Sequence, residues 1–248
     1  MAGTAVLGRL TWLVAEVAET VTETPHVRTL VLDVPGWAGH RAGQHVDVRL
    51  TAEDGYQAER SYSVASAPED PPALTVERLE DGEVSPYLVD DVVPGDRFEL
   101  RGPIGGYFVW DADAREDPLL LVAGGSGVVP LMAMLRHRQR TGSNVPARLV
   151  YSARTLDDVI YRNELDTLAA RGDALEVVYT FTREPPPGWT GYARRVDMDL
   201  LREAAVPPQE NPRVFVCGPT SFVEAVADNL VVLGHRPGRV RTERFGGS

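Results

Sequence analysis

The chain has 248 residues, of which 43% are hydrophobic, and this is enough for one large or two medium-sized domains with a substantial core. Its formal net charge of −11 argues against a general binder of nucleic acid or of anionic membranes, because both carry negative charge. All 25 positively charged residues are arginine, which excludes a Schiff-base lysine and leaves phosphate binding to guanidinium groups, backbone amides and helix ends.

Cys217 is the single cysteine of the sequence. It leaves no partner for an intramolecular disulfide, and it excludes an iron–sulfur cluster or a structural zinc site built from several cysteines. The five histidines show no metal-ligand spacing, so we expect no metal. There is no leader-like N-terminus and no apolar run long enough to span a bilayer, and we therefore expect a cytoplasmic protein.

Residues 10–108 contain short β-rich runs separated by proline, glycine and aspartate. Turn signals recur about every ten residues, which is typical of an antiparallel barrel or sandwich. The predicted strands are 29–34, 44–50, 61–65, 73–79 and 97–100.

The stretch 59–66, which contains the third of these runs, combines a cation, an aromatic ring and hydroxyl groups. In a strand, Arg60, Tyr62 and Val64 share one face, and Ser61 and Ser63 share the other. Arg60 could hold a phosphate bidentately while Tyr62 stacks on a planar ring. Ser63 could reach the same ligand only if the strand ended or bent there. The alternative is an ordinary edge strand with a salt-bridged arginine.

Residues 81–89 predict a turn that leads into a short helix. Ser85 is the predicted N-cap, and Pro86 takes the first helical position. Such a helix start offers free amides to an anion. The alternative is a capped helix that only covers one end of the barrel.

The acidic segment 111–117 is the predicted domain boundary, because the sequence pattern changes after it. An apolar run without alternation, 119–123, predicts a buried parallel strand, and a glycine turn and an apolar-periodic helix to about residue 140 follow it. Strands then alternate with helices, which predicts a doubly wound parallel sheet with ligands at the carboxyl ends of its strands. The further predicted strands are 148–152, 175–182, 213–216 and 240–243, and the further helices are 155–171, 198–205 and 221–233.

The turn after the first of these strands suits a dinucleotide. Its glycines let the backbone approach a pyrophosphate, and a helix N-terminus follows, although Pro130 takes the third glycine position of the usual fingerprint. The next two strands end in arginines rather than in an acidic residue, which favours a 2′-phosphate and hence NADP over NAD; surface salt bridges are the alternative for each arginine. The residues concerned are Gly124, Gly125, Ser126 and Gly127 in the turn, Ser152 and Arg154 after one strand, and Thr182 and Arg183 after the other.

Cys217 closes a predicted buried strand just before Gly218 and Pro219, at the edge where this sheet should bind its ligand. Inert packing of a buried cysteine is the alternative. No Gly-x-Ser-x-Gly elbow is present, so hydrolysis is not supported.

Five motifs, in this order, make the chain resemble the ferredoxin-NADP reductase family of flavoproteins. The resemblance runs from about residue 10 to the C-terminus. It implies an antiparallel Greek-key β-barrel that binds FAD, residues 1–112, followed by a doubly wound α/β parallel-sheet domain that binds the nicotinamide nucleotide, residues 118–248. The motifs are R-x-Y-S at Arg60 to Ser63, G-x-x-S at Gly82 to Ser85, G-P-x-G at Gly102 to Gly105, G-G-x-G-x-x-P at Gly124 to Pro130 and C-G-P at Cys217 to Pro219.

The resemblance also implies residue roles. Arg60 would bind the flavin pyrophosphate, Tyr62 would pack on the isoalloxazine and ribityl, and Ser63 would hydrogen-bond near flavin N5. Ser61, between them, is also counted among the cofactor-binding residues. The segment Gly82, Val84 and Ser85 would hold phosphate, and Arg78 would flank the adenosine. Family members often end with an acidic residue two positions before an aromatic that covers the flavin; Glu243 and Phe245 fit, with three further residues after them. Ser63, Cys217 and Glu243 would form the catalytic set.

The implied activity is transfer of hydride from NADPH, or NADH, to flavin N5, followed by release of electrons to a separate acceptor such as a ferredoxin or a partner oxygenase. FAD rather than FMN follows from the glycine–serine turn and the family. One cysteine is too few for the fused iron–sulfur domain of some relatives, so we expect a stand-alone reductase. We also expect a monomer. Two alternatives stay open: a flavin reductase or diaphorase that serves a small-molecule acceptor, and a flavin-bearing docking subunit of a larger complex.

Overall fold

The computed structural model describes residues 10–112 and 117–245. The first part forms a six-stranded antiparallel sheet in the order β4-β3-β6-β1-β2-β5. A bridge between Val64 and Leu74 joins its two edges, so the sheet curls into a barrel. Its strands are β1 (Trp12–Thr24), β2 (Val27–Asp33), β3 (His45–Thr51), β4 (Gln57–Ser63), β5 (Ala73–Glu77) and β6 (Arg97–Ile104), and a short π-helix, Tyr87–Asp91, lies between β5 and β6.

The alternation that predicted strands also fills the barrel. In β3, Val46 and Val48 are fully buried, while Asp47 and Arg49, which alternate with them, are only partly covered. Two details of the prediction were wrong. The longest strand, β1, was missing from the predicted runs because threonine and glutamate dilute its apolar pattern, and the third run forms a strand over Gln57–Ser63 rather than over 61–65.

The second part is a parallel sheet in the order β11-β10-β7-β8-β9. Helices cover both of its faces, and this confirms the predicted doubly wound α/β architecture. One face packs on α1 and α2, and the other packs on α3 and α4. The elements are β7 (Leu119–Gly124), α1 (Val128–Arg140), β8 (Ala147–Thr155), α2 (Arg162–Ala170), β9 (Leu175–Glu184), α3 (Met198–Ala204), β10 (Arg213–Pro219), α4 (Thr220–Val232) and β11 (Val240–Phe245).

The start of the second helix was predicted too early. The carboxylate of Asp158 accepts hydrogen bonds from both the backbone amide and the hydroxyl of Thr155, at 3.0 and 2.8 Å. These bonds close a local turn, which competes with helix formation. Tyr161 then takes a left-handed conformation, φ 60°, and α2 begins only at Arg162.

The two parts share a hydrophobic core. Phe108 and Trp110, which follow the barrel, are buried in the same cluster as the apolar face of α1. Four residues of the predicted acidic boundary, 113–116, lie outside the described residues, so the boundary itself stays a prediction. Within 10–112 and 117–245, no helix is long and apolar enough to cross a membrane.

Candidate functional site

The glycine turn and the end of β10 meet where the strand order of the parallel sheet reverses. β7 and β10 are neighbours, although β8 and β9 lie between them in the chain. Ligands of open α/β sheets bind at such a switch point. A Cβ built on Gly127 would lie 2.1 Å from the carbonyl oxygen of Cys217, so glycine is needed here for close packing. Gly125 has φ +55°, and the space beside its Cα is open.

This geometry suits a dinucleotide. A side chain at position 125 would occupy the open space over the turn. A phosphate needs this space to approach the backbone closely. Ser126 is partly exposed beside it, and Pro130 is buried in the first turn of α1. Gly124 and Gly218 are required for packing instead, because a Cβ on either would lie 2.9 Å from the ring of Phe222.

From the sequence, Ser63 could reach a ligand bound by Arg60 and Tyr62 only if its strand ended or bent at that residue, and β4 does end there. β4 ends at Ser63, and the next residue leaves the β3 ladder to form the bridge that closes the barrel. Ser63 is 5% exposed, and its hydroxyl donates a 3.4 Å hydrogen bond to Oε1 of Glu243 in the second domain. The barrel and the α/β domain are therefore joined at this residue.

Glu243 also stands beside Cys217. The two residues are register partners on the parallel strands β11 and β10. Burial raises the pKa of the Glu243 carboxyl to about 7, although the hydrogen bond from Ser63 acts in the opposite direction. Burial, with the negative charge of Glu243, raises the pKa of the Cys217 thiol well above its ordinary value. The structure thus brings Ser63, Cys217 and Glu243 together, from three strands of two domains.

Arg60 is half exposed and forms an ion pair with Glu83. This pair corresponds to the salt-bridged alternative, but it also holds the guanidinium next to the Gly82–Ser85 turn. Tyr62 packs against the barrel core, and burial raises the pKa of its phenol to about 12. Ser61 lies on the opposite face, where its hydroxyl donates to Asp47 at 2.7 Å.

Ser85 does not act as the predicted N-cap. Its hydroxyl accepts a 3.0 Å hydrogen bond from the backbone amide of Leu79, because the chain folds back tightly before the helix. Glycine is required at position 82, since a Cβ there would lie 2.7 Å from Oγ of Ser85. The side chain of Val84 is buried in the barrel core, and its carbonyl accepts a hydrogen bond from the amide of Leu88 at 3.1 Å. Arg78 pairs with Asp90 of the adjoining π-helix at 2.7 Å.

Arg154 and Arg183 lie at the carboxyl ends of the neighbouring strands β8 and β9. Both side chains are exposed, and neither forms an ion pair with any residue in the described ranges. Thr182 belongs to β9, and its hydroxyl donates to the carbonyl of Ala153 in β8 at 3.3 Å, while Ser152 is almost fully buried. Two exposed guanidinium groups at one sheet edge, neither with an ion-pair partner in the part of the chain that the structure describes, could together bind a phosphate.

The last described residue, Phe245, pairs in register with the exposed Pro219 at the carboxyl edge of the sheet. It is partly buried and packs against the core cluster that both domains share. The three residues after it lie outside the described part of the chain.

No local sequence pattern indicates one partly buried polar cluster between the domains. Arg136 of α1 contacts Glu164, Tyr161 and the backbone of Ala65. The only available signal was a charged residue on the apolar face of a predicted helix. As for metals, the described segments contain no group of three or more histidine, cysteine or acidic side chains placed to hold an ion.

Comparison with known proteins identifies both halves. Residues 15–109 match the family model of the oxidoreductase FAD-binding domain, and residues 121–228 match that of the oxidoreductase NAD-binding domain. The chain is 37% identical to ferredoxin-NADP reductase B of Sorangium cellulosum over 75% of this chain and 77% of that protein. The structure of a cytochrome P450 reductase from Amycolatopsis superposes with a TM-score of 0.82 at 27% identity, over 98% of this chain and 73% of that one.

A longer relative is the glycine betaine monooxygenase reductase subunit of Chromohalobacter salexigens, which is 34% identical over 92% of this chain. The present chain spans only 62% of the length of that subunit.

Proposed function

Because the chain belongs to the ferredoxin-NADP reductase family of flavoproteins, with an FAD-binding and an NAD-binding domain, we propose that it is an FAD-dependent NAD(P)H oxidoreductase. In this proposal it takes hydride from NADPH and passes electrons to a separate acceptor, a ferredoxin or a partner oxygenase. The observation that carries the proposal is the meeting of Ser63, Glu243 and Cys217 at the junction of the two domains.

The flavin, when bound, supplies the hydride acceptor and the ability to release electrons singly or in pairs. The residues at the junction supply its surroundings. The hydroxyl of Ser63 is a hydrogen-bond donor at the end of a strand, and Glu243, with a pKa of about 7, can hold or release a proton at its carboxyl near neutral pH. The buried and uncharged thiol of Cys217 excludes water from the same space.

The donor set of the barrel supports FAD as the cofactor. Arg60 has one exposed carboxylate partner, which a pyrophosphate would replace, and exposed ion pairs of this kind contribute little to stability. The adjoining turn, Gly82 to Ser85, would offer backbone amides to the same phosphates, with Arg78 beside it. Tyr62 would pack on the isoalloxazine, and Phe245 would cover the ring from the second domain.

NADPH is the proposed donor because of Arg154 and Arg183. Their exposed guanidinium groups lack a carboxylate partner among the described residues, and a 2′-phosphate would supply one negative group for both. The pyrophosphate of the nucleotide would lie over Gly125 at the start of α1.

The acceptor is proposed from the relatives and from the number of cysteines in the chain. One relative is the reductase subunit of a monooxygenase and another is a ferredoxin-NADP reductase. The present residues include a single cysteine, so they cannot themselves form a four-cysteine cluster. A domain boundary between residues 112 and 118, a monomeric state and a cytoplasmic location remain predictions.

The experiment is cytochrome c reduction by the FAD-loaded protein with NADPH, in the presence and absence of an added ferredoxin. We expect the rate to rise with ferredoxin concentration. A fast rate that does not respond to ferredoxin would overturn the proposed acceptor and favour a small-molecule one. Absence of any reduction by either nucleotide would overturn the oxidoreductase itself.

A further inference from the structure

Arg136 is a partly buried arginine on α1, the helix that follows the dinucleotide turn. Its Nε and Nη2 atoms donate to the two carboxylate oxygens of Glu164 at 2.9 and 2.6 Å. Its third contact crosses to the barrel: Nη1 donates to the carbonyl oxygen of Ala65 at 2.7 Å. Ala65 follows Ser63 by two residues, so this bond connects the nicotinamide-side helix to the end of the flavin-side strand.

The backbone around Ala65 is otherwise held by the barrel. The amides of Val64 and Ala65 donate to Gln44 and Ala73 at 2.9 and 2.8 Å, and the carbonyl of Ser66 is bound by His40 at 3.1 Å. The carbonyl of Ala65 differs because its partner comes from the second domain. Since Ala65 is completely buried, loss of this partner would leave a polar group unsatisfied.

Tyr161 forms the second half of the same joint. The guanidinium carbon of Arg136 lies 4.6 Å from the centroid of its ring, and its hydroxyl donates to Thr75 of the barrel. The chain of hydrogen bonds continues from Thr75 to Thr29 at 2.8 Å and from Thr29 to Glu23 at 2.6 Å. Tyr161 is a bulky residue with φ 60°, a conformation that persists only where the surroundings enforce it.

We propose that Arg136 is a positioning residue for hydride transfer: through the Ala65 carbonyl it fixes the end of β4 that carries Ser63, and it sets the distance between the two domains. This inference rests on the proposed function. Arg136 contacts neither reactant in the proposal, so its effect passes through Ala65 and Tyr161. Hydride transfer needs two rings held in close register, one by each domain, and a misplacement of about 1 Å can slow such a step about a hundredfold.

A stabilising role alone predicts a different result. A buried ion pair is weak evidence for stability, and loss of Arg136 could simply lower the melting temperature. In that case the folded, FAD-loaded variant would transfer hydride at the normal rate. The two roles are therefore separated by the limiting rate for each molecule of bound flavin.

The test uses Arg136→Gln with Arg140→Gln as the matched control. Arg140 lies one turn further along α1 and also crosses to the barrel, where it pairs with Asp70 at 2.8 Å, but this pair is exposed and does not contact the end of β4. Two quantities are measured on the FAD-loaded proteins: the limiting rate of flavin bleaching by NADPH, and hydrogen–deuterium exchange of the backbone amides of residues 63–66.

We expect Arg136→Gln to lower the limiting rate by about tenfold or more, with unchanged affinity for NADPH and faster exchange at residues 63–66. Arg136→Lys should restore part of the rate, because one amine can still donate to Ala65, and Arg140→Gln should match the wild type. If Arg136→Gln fails to fold, Arg136→Lys is judged by the same two quantities. A normal limiting rate, or normal exchange at 63–66, in the folded variant overturns the inference. If neither nucleotide bleaches the wild-type flavin, the proposed function fails. Hydrogen–deuterium exchange at residues 63–66 then tests alone whether Arg136 holds the end of β4 in place.

Discussion

The hydroxyl of Ser63 lies 3.4 Å from Oε1 of Glu243, although 180 positions separate the two residues in the chain. One belongs to the barrel and the other to the parallel sheet. Because Glu243 is also the register partner of Cys217, this single contact assembles the candidate catalytic set. It also gives Glu243 an environment in which its protonation can be tested directly.

Glu243→Gln should remove a pH dependence of stability in the FAD-free protein. Burial raises the pKa of Glu243 to about 7 in the folded chain, above its ordinary value of 4.5. The folded state therefore favours the protonated carboxyl, and the stabilisation is complete below about pH 4.5 and lost as the pH rises through about 7. We expect wild-type stability to fall, relative to the variant, by about 2 kcal/mol between about pH 5 and about pH 8. Urea unfolding at each pH gives the difference, and parallel pH profiles for the two proteins would contradict the assignment.

Arg60→Ala should weaken FAD binding without unfolding the barrel. The lost charge-assisted hydrogen bonds to a pyrophosphate correspond to about a tenfold to hundredfold loss of affinity. The ion pair with Glu83 is exposed, so its removal should cost little stability. Arg97→Ala is the control, because Arg97, the first residue of β6, forms a comparably exposed ion pair with Glu16. Titration of FAD into the FAD-free proteins measures the affinities, and equal affinities for the two variants would remove Arg60 from the site.

Replacement of both Arg154 and Arg183 by alanine should weaken NADPH binding by about tenfold to hundredfold and leave NADH binding unchanged. The physical reason is that only NADPH carries the 2′-phosphate. Binding of each nucleotide to the FAD-loaded protein can be followed by calorimetry. An equal loss for NADH, or no loss for either nucleotide, would show that these arginines do not read the 2′-phosphate.

The thiol of Cys217 should resist alkylation in the folded protein. It is fully buried, and its raised pKa keeps it protonated, whereas the thiolate is the reactive form. Iodoacetamide followed by mass spectrometry should find one modified cysteine after unfolding and none before. Rapid modification of the native chain would mean that Cys217 is an activated nucleophile, which the present account does not allow.

Local patterns were sufficient for most of the fold. The unalternating run that became β7 and the glycine turn after it follow from the period and the turn chemistry of their own segments. The arginine–tyrosine run was also recognised as a strand, although its observed bounds, Gln57–Ser63, differ from the predicted 61–65. The strand β1 was not predicted because threonine and glutamate occupy so many of its positions. The predicted start of α2 was wrong because the Asp158 side chain accepts a hydrogen bond from the backbone amide of Thr155. The sequence pattern of such a local turn is the same as that of a capped helix start, so the two cannot be told apart from sequence.

The contacts that assemble the site carry no local signal. The R-x-Y-S and C-G-P motifs could be recognised separately, but the approach of Ser63 to Glu243 depends on how two domains pack. The same holds for Arg136, whose partners Ala65, Tyr161 and Glu164 come from both domains. At Ser85 the local pattern was misleading. It predicted a helix N-cap, but the hydroxyl accepts a hydrogen bond from Leu79 in the turn before the helix.

The most direct test of the account is anaerobic stopped-flow mixing of the FAD-loaded protein with NADPH, and separately with NADH. We expect NADPH to bleach the visible flavin absorbance in a single turnover, faster than NADH does. If neither nucleotide bleached the flavin, the junction of Ser63, Glu243 and Cys217 would not be a hydride-transfer site, and the proposed reductase activity would be wrong.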